Sequence, residues 1–394
     1  MSKLEELIQQ YCPDGVEYRK LGDIATLIRG GNFQKKDFTD SGVPCIHYGQ
    51  IYTHFGVHTT STIKYISPEV ARKSKIAKTN DIVMAITSEN VEDVGKCVAW
   101  LGDEDIAVSG HTAIIQHKQN AKYLSYYFHT SHFFTQKRRL AHGTKVIEIS
   151  PKALEDVLVP IPPLPVQEEI VRILDNFAEL QAELQAELQK RLQQYNYYRD
   201  KLLSFNDLSD WGGQEVSVEW KKLGEITTIL RGRRLTKSQL SNDKPYAVYH
   251  GGLEPLGYYE SANRTANTTM IINVGASAGT IGYSKEDFWS SDGCYCVEHS
   301  KLFDDRYIYY VLQTQEQQLK SKVRVAGIPT LDKPVVEDLL VPIPPLAEQQ
   351  RIVSILDRFD KLTTDITAGL PAEIEARRKQ YEYYRDTLLT FKKK

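Results

Sequence analysis

The hexapeptide Val-Pro-Ile-Pro-Pro-Leu at residues 159–164 recurs unchanged at residues 341–346. Proline lacks a backbone N–H donor and pushes the residue before it into an extended conformation, so this element cannot be helical. Each copy runs directly into a long helical pattern. The sequence therefore predicts a short, stiff strap that leads from a globular part into a long helix, twice in one chain.

The two helical patterns carry a coiled-coil seam. The first is predicted over residues 166–205 and the second from about Ala347, with apolar side chains recurring every three or four residues. Each stripe needs a partner, and the other helix has matching length; antiparallel pairing is the most symmetric solution. The alternative is a purely structural hairpin or spacer. The seam residues expected to mediate helix pairing or partner binding are Ile173, Phe177, Leu184, Leu188, Tyr195, Tyr198, Ile355, Phe359, Leu362, Tyr381 and Tyr384.

Both helices close on one signature, Gln-Tyr-x-Tyr-Tyr-Arg-Asp-x-Leu-Leu, at residues 194–203 and 380–389. The second copy contains Gly-Leu-Pro at residues 369–371, which predicts a kink. It also spans four more residues from strap to signature, about one helical turn, which largely preserves the seam. The twofold repeat should therefore be approximate.

Two diverged globular heads separate these blocks. Apolar, β-branched runs at 81–86 and 269–274 predict strands, and the segments 121–139 and 304–323 are helical in pattern. The predicted fold class is α+β: two α/β heads joined by two long helices in an antiparallel coiled coil, with an internal pseudo-twofold repeat. The predicted boundaries are 1–163 for the first head, 164–205 for the first helix, 206–217 for a linker, 218–345 for the second head and 346–394 for the second helix, kinked near 369–371.

Composition limits the class of protein. The 394 residues carry a net charge of -2, so the chain is not a basic nucleic-acid binder as a whole. No apolar run is long enough for a membrane span, and the amphipathic start is unlike a signal peptide. Five irregularly spaced cysteines argue against a disulfide framework. We expect a cytoplasmic protein without membrane contact.

The chain resembles the specificity subunit of type I restriction–modification systems over nearly its whole length. The resemblance rests on the diverged heads, the Pro-Pro-Leu straps followed by Gln-Glu (167–168) or Glu-Gln (348–349), the helix-end signatures and the duplication of the whole unit. It implies that each head is a target-recognition domain for one half of a bipartite double-stranded DNA sequence. It also implies that the coiled coil sets the gap between the half-sites.

The same resemblance implies the partners. Two methyltransferase subunits would dock on the helices, and restriction subunits would complete the complex. The chain itself would be non-catalytic and without a cofactor, because S-adenosylmethionine, ATP and Mg belong to the partner subunits.

The residues agree that catalysis is absent. The sequence has no Asn-Pro-Pro-Tyr methyltransferase motif and no G-x-x-x-x-G-K-[ST] phosphate loop. Glu219-Trp220-Lys221 has a nuclease-like form, but no acidic partner is suitably placed. Cys294 and Cys296 lack a second Cys/His pair at zinc spacing. No catalytic or metal-binding residue is predicted.

Polar and basic residues on loops can contact phosphates and base edges. Four segments in each head carry them at comparable places. The predicted DNA-binding residues of the first head are Arg29, Asn32, Lys35, Lys36, His47, Tyr48, Gln50, Ser88, Asn90, Arg138, Arg139 and Lys145. Those of the second head are Arg231, Arg233, Arg234, Lys237, His250, Ser277, Lys322 and Arg324.

Three of the four segments also have an ordinary structural explanation. The Arg-Gly loops after residues 25–28 and 227–230 could simply be solvated, although they occupy the same place in both heads. The polar and aromatic residues near His47 could form a strand-end turn, and the basic stretch 137–145 could be a solvated helix face. Because the heads differ most in these loops, the DNA target should be asymmetric. Half-sites about one DNA turn apart, roughly 34 Å, would suit such a spacer.

Two other classes of protein compete with this interpretation. A self-contained restriction–methylation enzyme would need a methyltransferase motif, and this sequence has none. A non-DNA adaptor with two binding heads would explain the helices but not the repeated basic loops. Within the leading class, a phase-variable or truncated family relative that pairs with itself is a further possibility, but both repeats are complete. The low overall basicity predicts weak DNA binding by the free subunit and tight binding with methyltransferase partners.

Overall fold

The computed structural model describes residues 2–205, 217–364 and 369–394. It divides into two compact units: Met1–Leu184 with Ile374–Lys394 form unit 1, and Gln185–Glu373 form unit 2. Each unit holds one head, the start of the helix that follows this head, and the end of the other helical region. Apart from Ser217, the predicted linker lies outside the described residues.

The helices have the following bounds: α1 Lys3–Tyr11, α2 Leu21–Ile24, α3 Tyr48–Thr53, α4 Pro68–Arg72, α5 Ala121–Phe128, α6 Ser131–Leu140, α7 Pro151–Leu154, α8 Leu164–Ser204, α9 Leu223–Ile226, α10 Asp305–Thr314, α11 Glu316–Ser321, α12 Lys333–Glu337, α13 Leu346–Thr364 and α14 Leu370–Leu388. Short 3-10 helices occur at Lys35–Asp37 and Lys237–Gln239.

The strands of unit 1 are β1 Tyr18–Lys20, β2 Ala25–Arg29, β3 Phe38–Thr39, β4 Val43–Ile46, β5 His58–Thr59, β6 Lys64–Ile66, β7 Lys75–Ala77, β8 Ile82–Ala85, β9 Thr87–Ser88, β10 Cys97–Trp100, β11 Ile106–Val108, β12 Thr112–His117, β13 Ile147–Glu148 and β14 Leu158–Pro160. Those of unit 2 are β15 Glu219–Lys222, β16 Ile229–Arg231, β17 Tyr246–Tyr249, β18 Gly257–Tyr259, β19 Thr268–Ile272, β20 Ile281–Ser284, β21 Trp289–Ser290, β22 Cys294–Val297 and β23 Leu340–Ile343.

The two heads share the core of their sheet topology, although the two main sheets have five strands each in the first head and four and three strands in the second. The first head has a sheet ordered β2-β12-β8-β10-β5, and the second has the corresponding order β16-β22-β19-β20. A second sheet in each head contains one parallel pair, β4 with β11 and β17 with β21. The diverged sequences therefore retain one architecture, which confirms the predicted α+β fold class with an internal repeat.

The central strands are apolar throughout because both of their faces are covered. Successive side chains of a strand point to opposite faces. In β8, Ile82 and Met84 join one buried cluster while Val83 and Ala85 join another. The predicted strands are confirmed at both places, as β8 and β19. The segments predicted to be helical each contain two helices, α5 with α6 and α10 with α11.

The straps are extended, as predicted. β14 pairs antiparallel with β1, and β23 pairs antiparallel with β15, so each strap is hydrogen-bonded to the opening strand of its own head. The proline-rich segment therefore ends the head and starts the helix without a flexible connection.

A buried glutamine fastens the first head to its helix. Gln167 is fully buried; its Oε1 accepts from the backbone N–H of Asn120 (3.1 Å) and its Nε2 donates to the carbonyl of Pro162 (2.7 Å). Tyr123 donates to the strap carbonyl of Pro160 (2.9 Å). Asp175 accepts from Tyr126 and pairs with Lys122, both at 2.8 Å.

The second head is fastened in the same way. Gln349, also fully buried, accepts from the N–H of Asp304 (2.8 Å) and donates to the carbonyl of Pro344 (2.8 Å). Tyr307 donates to Pro342 (3.0 Å). Tyr310 donates to Asp357, which also pairs with Arg306 at 2.9 Å. We call each of these two sets, the glutamine, the two tyrosines, the aspartate and its cation, a latch.

Each unit pairs the start of one helical region with the end of the other, which is the antiparallel sense. In unit 1, Phe177 of α8 stacks on Tyr384 of α14, with ring centroids 5.3 Å apart. In unit 2, Tyr198 of α8 lies beside Phe359 of α13 at 5.7 Å. Among the other seam residues, Tyr195 is buried, Ile173, Leu184, Leu188, Ile355 and Tyr381 are half-buried, and Leu362 is exposed. The second helical region comprises α13 and α14, and Pro371 lies in the first turn of α14.

Candidate nucleic-acid interface

A polar cleft in the first head collects the residues of two predicted segments. Its volume is about 860 Å³. The lining residues are Arg29, Asn32, Phe33, Gln34, Lys35, Lys36, Asp37, His47, Tyr48, Gly110 and His111. Residues that are distant in sequence therefore face one space. Gly110 and His111 were not predicted, because only the fold brings the turn before β12 to the end of β2; Phe33 and Asp37 adjoin predicted residues but were not predicted themselves.

Cations line one side of this cleft. Arg29 ends β2, and its guanidinium pairs with Glu148 (3.0 Å) and donates to the carbonyl of Gly110 (3.2 Å). Lys35 and Lys36 lie on the 3-10 turn and are exposed. Among the described residues, neither lysine has an ion-pair partner. Arg29 is thus oriented by the fold, while both lysines are available to an anion.

His47 and Gln50 have a structural role that differs from the predicted one. Both are buried. His47 caps α3: its Nδ1 accepts from the N–H of Gly49 (3.2 Å), and Gln50 Oε1 accepts from the N–H of His47 (2.8 Å). Burial, together with Lys35 and His111, lowers the pKa of His47 to about 4, so its ring is neutral near pH 7. The structure does not present Gln50 for direct base contact.

Tyr48 belongs to an aromatic group in the same cleft. It is half-buried, with its ring centroid 4.4 Å from that of His47 and 5.0 Å from that of His111. His111 Nδ1 lies 3.0 Å from Thr87 Oγ1. This contact joins the cleft to the third predicted segment.

The third and fourth segments meet beside the cleft. Ser88 is half-buried in β9, which pairs with β13 across Ser88 and Ile147. Asn90 is exposed, but its side chain already bonds Asp93 twice, at 2.9 and 2.7 Å. Lys145 is exposed on the loop that precedes β13.

Arg138 and Arg139 are exposed in the last turn of α6. Their neighbour Lys137 belongs to the same basic stretch but is not available for phosphate contact. Its side chain is buried and its Nζ donates to the carbonyls of Glu92 (2.9 Å) and Val94 (2.6 Å). Burial lowers the pKa of Lys137 to about 8.

The second head presents its cations on the equivalent loop. Arg231, Arg233, Arg234 and Lys237 are all exposed. The loop is held by its backbone: Arg233 N–H donates to Ser290 (2.9 Å), and Trp289 Nε1 donates to the Arg233 carbonyl (2.7 Å). A Cβ on Gly232 would lie 2.1 Å from the Ser291 carbonyl oxygen, and one on Gly30 would lie 2.0 Å from that of Ser109. The Arg-Gly pair thus recurs because both loops pass against a crossing backbone.

The remaining residues of the second head lie on adjoining segments. His250 is half-buried with Nδ1 3.3 Å from an Asp292 carboxylate oxygen. Ser277 is half-buried in a turn, where its carbonyl accepts from Thr280. Lys322 and Arg324 are exposed, and Arg324 pairs with Asp332 at 3.3 Å. Backbone bonds join these segments, since Ser291 N–H donates to Tyr249 (2.9 Å) and Val274 bridges to Thr330.

Metal binding and membrane insertion have little support in the described part of the chain. Within residues 2–205, 217–364 and 369–394, no cluster of three His, Cys, Asp or Glu side chains could hold a metal ion. Cys294 and Cys296 are buried thiols in β22. The described helices include none with the length and apolar character needed to cross a bilayer.

Comparison with known proteins points to one family. The family model described as "Type I restriction modification DNA specificity domain" matches residues 13–194 and again 215–376. The chain is 33% identical over 253 residues to the specificity subunit of the Escherichia coli type I restriction enzyme EcoR124I/EcoR124II, covering 58% of this chain and 60% of that subunit. The match thus spans less than two thirds of that relative. A putative type I specificity subunit of Haemophilus influenzae is 30% identical over 308 residues, covering 72% and 76% of the two chains.

Solved structures share the fold. The crystal structure of a type I restriction–modification S subunit from M. genitalium matches with a TM-score of 0.60 and 17% identity, covering 95% of this chain and 96% of that one. A chain from a structural study of complex assembly in the type I system matches with a TM-score of 0.61 and 17% identity, covering 96% and 98%. At this identity the likeness concerns the fold alone.

Proposed function

Because the chain belongs to the family of type I restriction–modification DNA specificity domains, we propose that it is the DNA-recognition subunit of such a system. Each head binds one half of a bipartite, asymmetric double-stranded target. The paired helices set the gap between the halves. The chain positions DNA for partner enzymes and contributes no catalytic group of its own.

The observation that carries this proposal is a contrast between the two repeats. The two latches have the same chemistry. Each has a fully buried glutamine, a tyrosine that donates to a strap carbonyl, and an aspartate that pairs with a cation. The loops at the cleft differ in sequence, with Arg-Gly-Gly-Asn at 29–32 and Arg-Gly-Arg-Arg at 231–234. A protein that must hold two different recognition surfaces in a fixed geometry needs a constant attachment and variable surfaces.

The cleft residues suit DNA. Phosphate contacts give affinity and position, whereas base-edge contacts give specificity. Exposed Lys35 and Lys36, and Arg233 and Arg234 in the other head, can serve phosphates. Asn32 and Tyr48 line the first cleft as neutral groups that can reach base edges. With a net charge of -2, the chain depends on its partners for part of the phosphate binding.

Two methyltransferase subunits dock on the helices in this proposal. Tyr197 and Tyr383 hold the same position of the helix-end signature and are 60% and 66% exposed. Beside them, Arg199 covers the ring of Tyr195 and Arg385 covers that of Tyr381. Exposed tyrosines are frequent anchors of protein interfaces. A surface that occurs twice suits two copies of one partner.

Restriction subunits join this assembly to complete the nuclease. The methyl donor S-adenosylmethionine and the nucleotide and Mg needed for restriction belong to the partner subunits. The resulting enzyme complex is intracellular, since its substrate is cellular and incoming DNA.

Methylome mapping tests the proposed function. The chain is expressed with its cognate methyltransferase in a host free of other adenine methylation, and N6-methyladenine is mapped by long-read sequencing. One bipartite motif with a fixed gap is expected. Replacement of residues 16–158 by the head of another family member should change one half-site and leave the other. An intact complex that methylates no motif would refute the proposal.

A further inference from the structure

Two short loops of equal construction follow the heads' helical segments. Residues 142–148 are closed by hydrogen bonds between His142 and Glu148 in both directions, at 3.1 and 2.9 Å. Residues 324–330 are closed in the same way between Arg324 and Thr330, at 2.9 and 3.0 Å. Both loops have seven residues and both lie the same number of residues before their strap. We call them the tip loops.

The tip loops expose aliphatic side chains to an unusual degree. Val146 is 57% exposed, Ile328 is 70% exposed and Val325 is 79% exposed. Among the large apolar side chains of the described residues, Val325 and Ile328 are the most exposed. Single exposed apolar residues are common and need no explanation. Here, however, Val146 and Ile328 both occupy the fifth position of their loop, and both are β-branched aliphatic residues. The other six positions carry different residues in the two loops.

Each tip loop is joined to the candidate DNA surface of its own head. In the first head, Ile147 pairs with Ser88, and Glu148 holds Arg29 at 3.0 Å. In the second head, Thr330 bridges to Val274, and the N–H of Gly275 donates to Pro329 (2.9 Å). The aliphatic tips are therefore part of the same surface as the predicted base-contacting segments.

Cations flank both tips. Lys145 directly precedes Val146 and is exposed; exposed Lys322 lies two residues before the second tip loop, whose Arg324 already pairs with Asp332 at 3.3 Å. A ligand for such a surface combines negative charge with a small apolar group. The major groove of DNA offers both, because phosphates border it and the C5 methyl of thymine projects into it. A neutral protein surface could pack against the valine or isoleucine but would offer no negative charge to the neighbouring cations.

We propose that Val146 and Ile328 each contact a thymine methyl group in the major groove, one in each half-site. The two side chains are thus specificity-determining residues that select an A·T pair at one position per half. This inference rests on the proposed function and adds an apolar term to recognition by polar loops.

Uracil substitution tests it, because deoxyuridine keeps the hydrogen-bonding groups of thymidine and lacks only the methyl. The complex of the full chain with its methyltransferase is bound to duplexes carrying the mapped target, with one thymine at a time replaced by uracil. Loss of one buried methyl is worth roughly 0.8 kcal/mol, or about fourfold in Kd. One sensitive thymine is expected in each half-site.

Double-mutant cycles assign each thymine to a residue. In Val146→Ala, replacement of thymine by uracil should no longer weaken binding at one half-site but should still weaken it at the other. Ile328→Ala should show the reverse pattern. Ile63→Ala, which truncates a 40% exposed aliphatic residue outside the tip loops, serves as the control and should leave both uracil effects intact.

Three outcomes would overturn the inference: no uracil effect in either half, uracil effects that Val146→Ala and Ile328→Ala leave unchanged, or variants that no longer bind the methyltransferase without DNA. The last result, measured by size-exclusion chromatography, would assign the tips to a protein partner. All three leave a methylated bipartite motif in place, so they are distinct from a failure of the proposed function, in which no motif appears.

Discussion

The side-chain oxygen of Gln349 accepts a hydrogen bond from the backbone N–H of Asp304 at 2.8 Å, and Asp304 is the N-cap of α10. The same glutamine donates from Nε2 to the carbonyls of Leu302 (3.1 Å) and Pro344 (2.8 Å). One fully buried side chain therefore joins the head, the strap and the first turn of the helix. Its counterpart Gln167 does the same in unit 1.

Truncation of a latch glutamine should destabilise its unit. Gln349→Ala leaves buried donors and acceptors without partners, which costs about 2–3 kcal/mol in free energy of unfolding. For a unit of this size we expect the Tm to fall by about 4–12 °C. Differential scanning calorimetry of the full chain measures it. Gln189→Ala, at an exposed position of α8, is the matched control and should change the Tm little.

The basic loop of the second head should contribute phosphate contacts. Arg233→Ala combined with Arg234→Ala removes two exposed cations, so DNA affinity of the assembled complex should fall similarly for all sequences. The slope of log Kd against log salt should decrease by up to about 1.8. Fluorescence anisotropy at several salt concentrations gives both values.

Lys285→Ala combined with Lys301→Ala is the matched control for that experiment. It removes the same charge from exposed positions outside the four segments. An equal loss of slope in the control would mean that only overall charge matters, and our assignment of the loop would be wrong.

The length of α8 should set the gap in the target. Ala-Glu-Leu-Gln occurs three times in succession at residues 178–189. Deleting residues 182–185 removes one helical turn, about 6 Å, and keeps the apolar seam in register. The methylated motif should retain both half-sites and lose one or two base pairs from its gap. A change in the bases of either half, with the gap unchanged, would contradict this assignment.

Neutral His47 should make the first head sensitive to acid. Its pKa is lowered to about 4 in the folded state, mainly by burial, against about 6.5 when unfolded. Between these values the unfolded chain binds a proton that the folded chain does not, so stability from this group is lost as the pH falls from about 6.5 to 4. Urea unfolding at several pH values measures this dependence.

His47→Asn should reduce the number of protons taken up on unfolding between about pH 4 and 6.5 by up to one. The substitution keeps an N-cap acceptor for α3. His47→Ala should reduce this proton uptake equally, but it should also lower the stability at pH 7 because the cap is lost. A His47→Asn protein with the pH slope of the original would show that another group is responsible.

The sequence predicts the repeated part of this protein well because periodicity and proline chemistry act locally. The strap at residues 159–164 cannot form a helix, and the seam from Ile173 to Tyr198 has helical spacing, so both were predictable from a few neighbouring residues. The place of Pro371 in the first turn of α14 is also a local effect, because proline is tolerated at the start of a helix. Sheet order could not be predicted, because the pairing of β2 with β12 depends on residues far apart in the chain.

The candidate site was predicted less completely, for a physical reason. Residue type indicates which side chains can bind DNA, but burial decides which are available. Lys137 is a basic residue like Arg138, yet its side chain is buried and donates to two carbonyls. His111 looks unremarkable in sequence, and only the fold brings it against Tyr48. The aliphatic tips at Val146 and Ile328 gave no polar signal, and their exposure appears only in three dimensions.

The latches also bear on how such a chain can be rearranged. Each latch is formed entirely by one head, its own strap and about the first three turns of the helix that follows, and both straps have the same six residues. A head transplanted from the first place in the chain to the second would meet a glutamine, proline carbonyls and an aspartate in the arrangement it left. Exchange of a head between the two places, with the strap as one of its junctions, would thus keep the attachment to the helix while changing the half-site that is read.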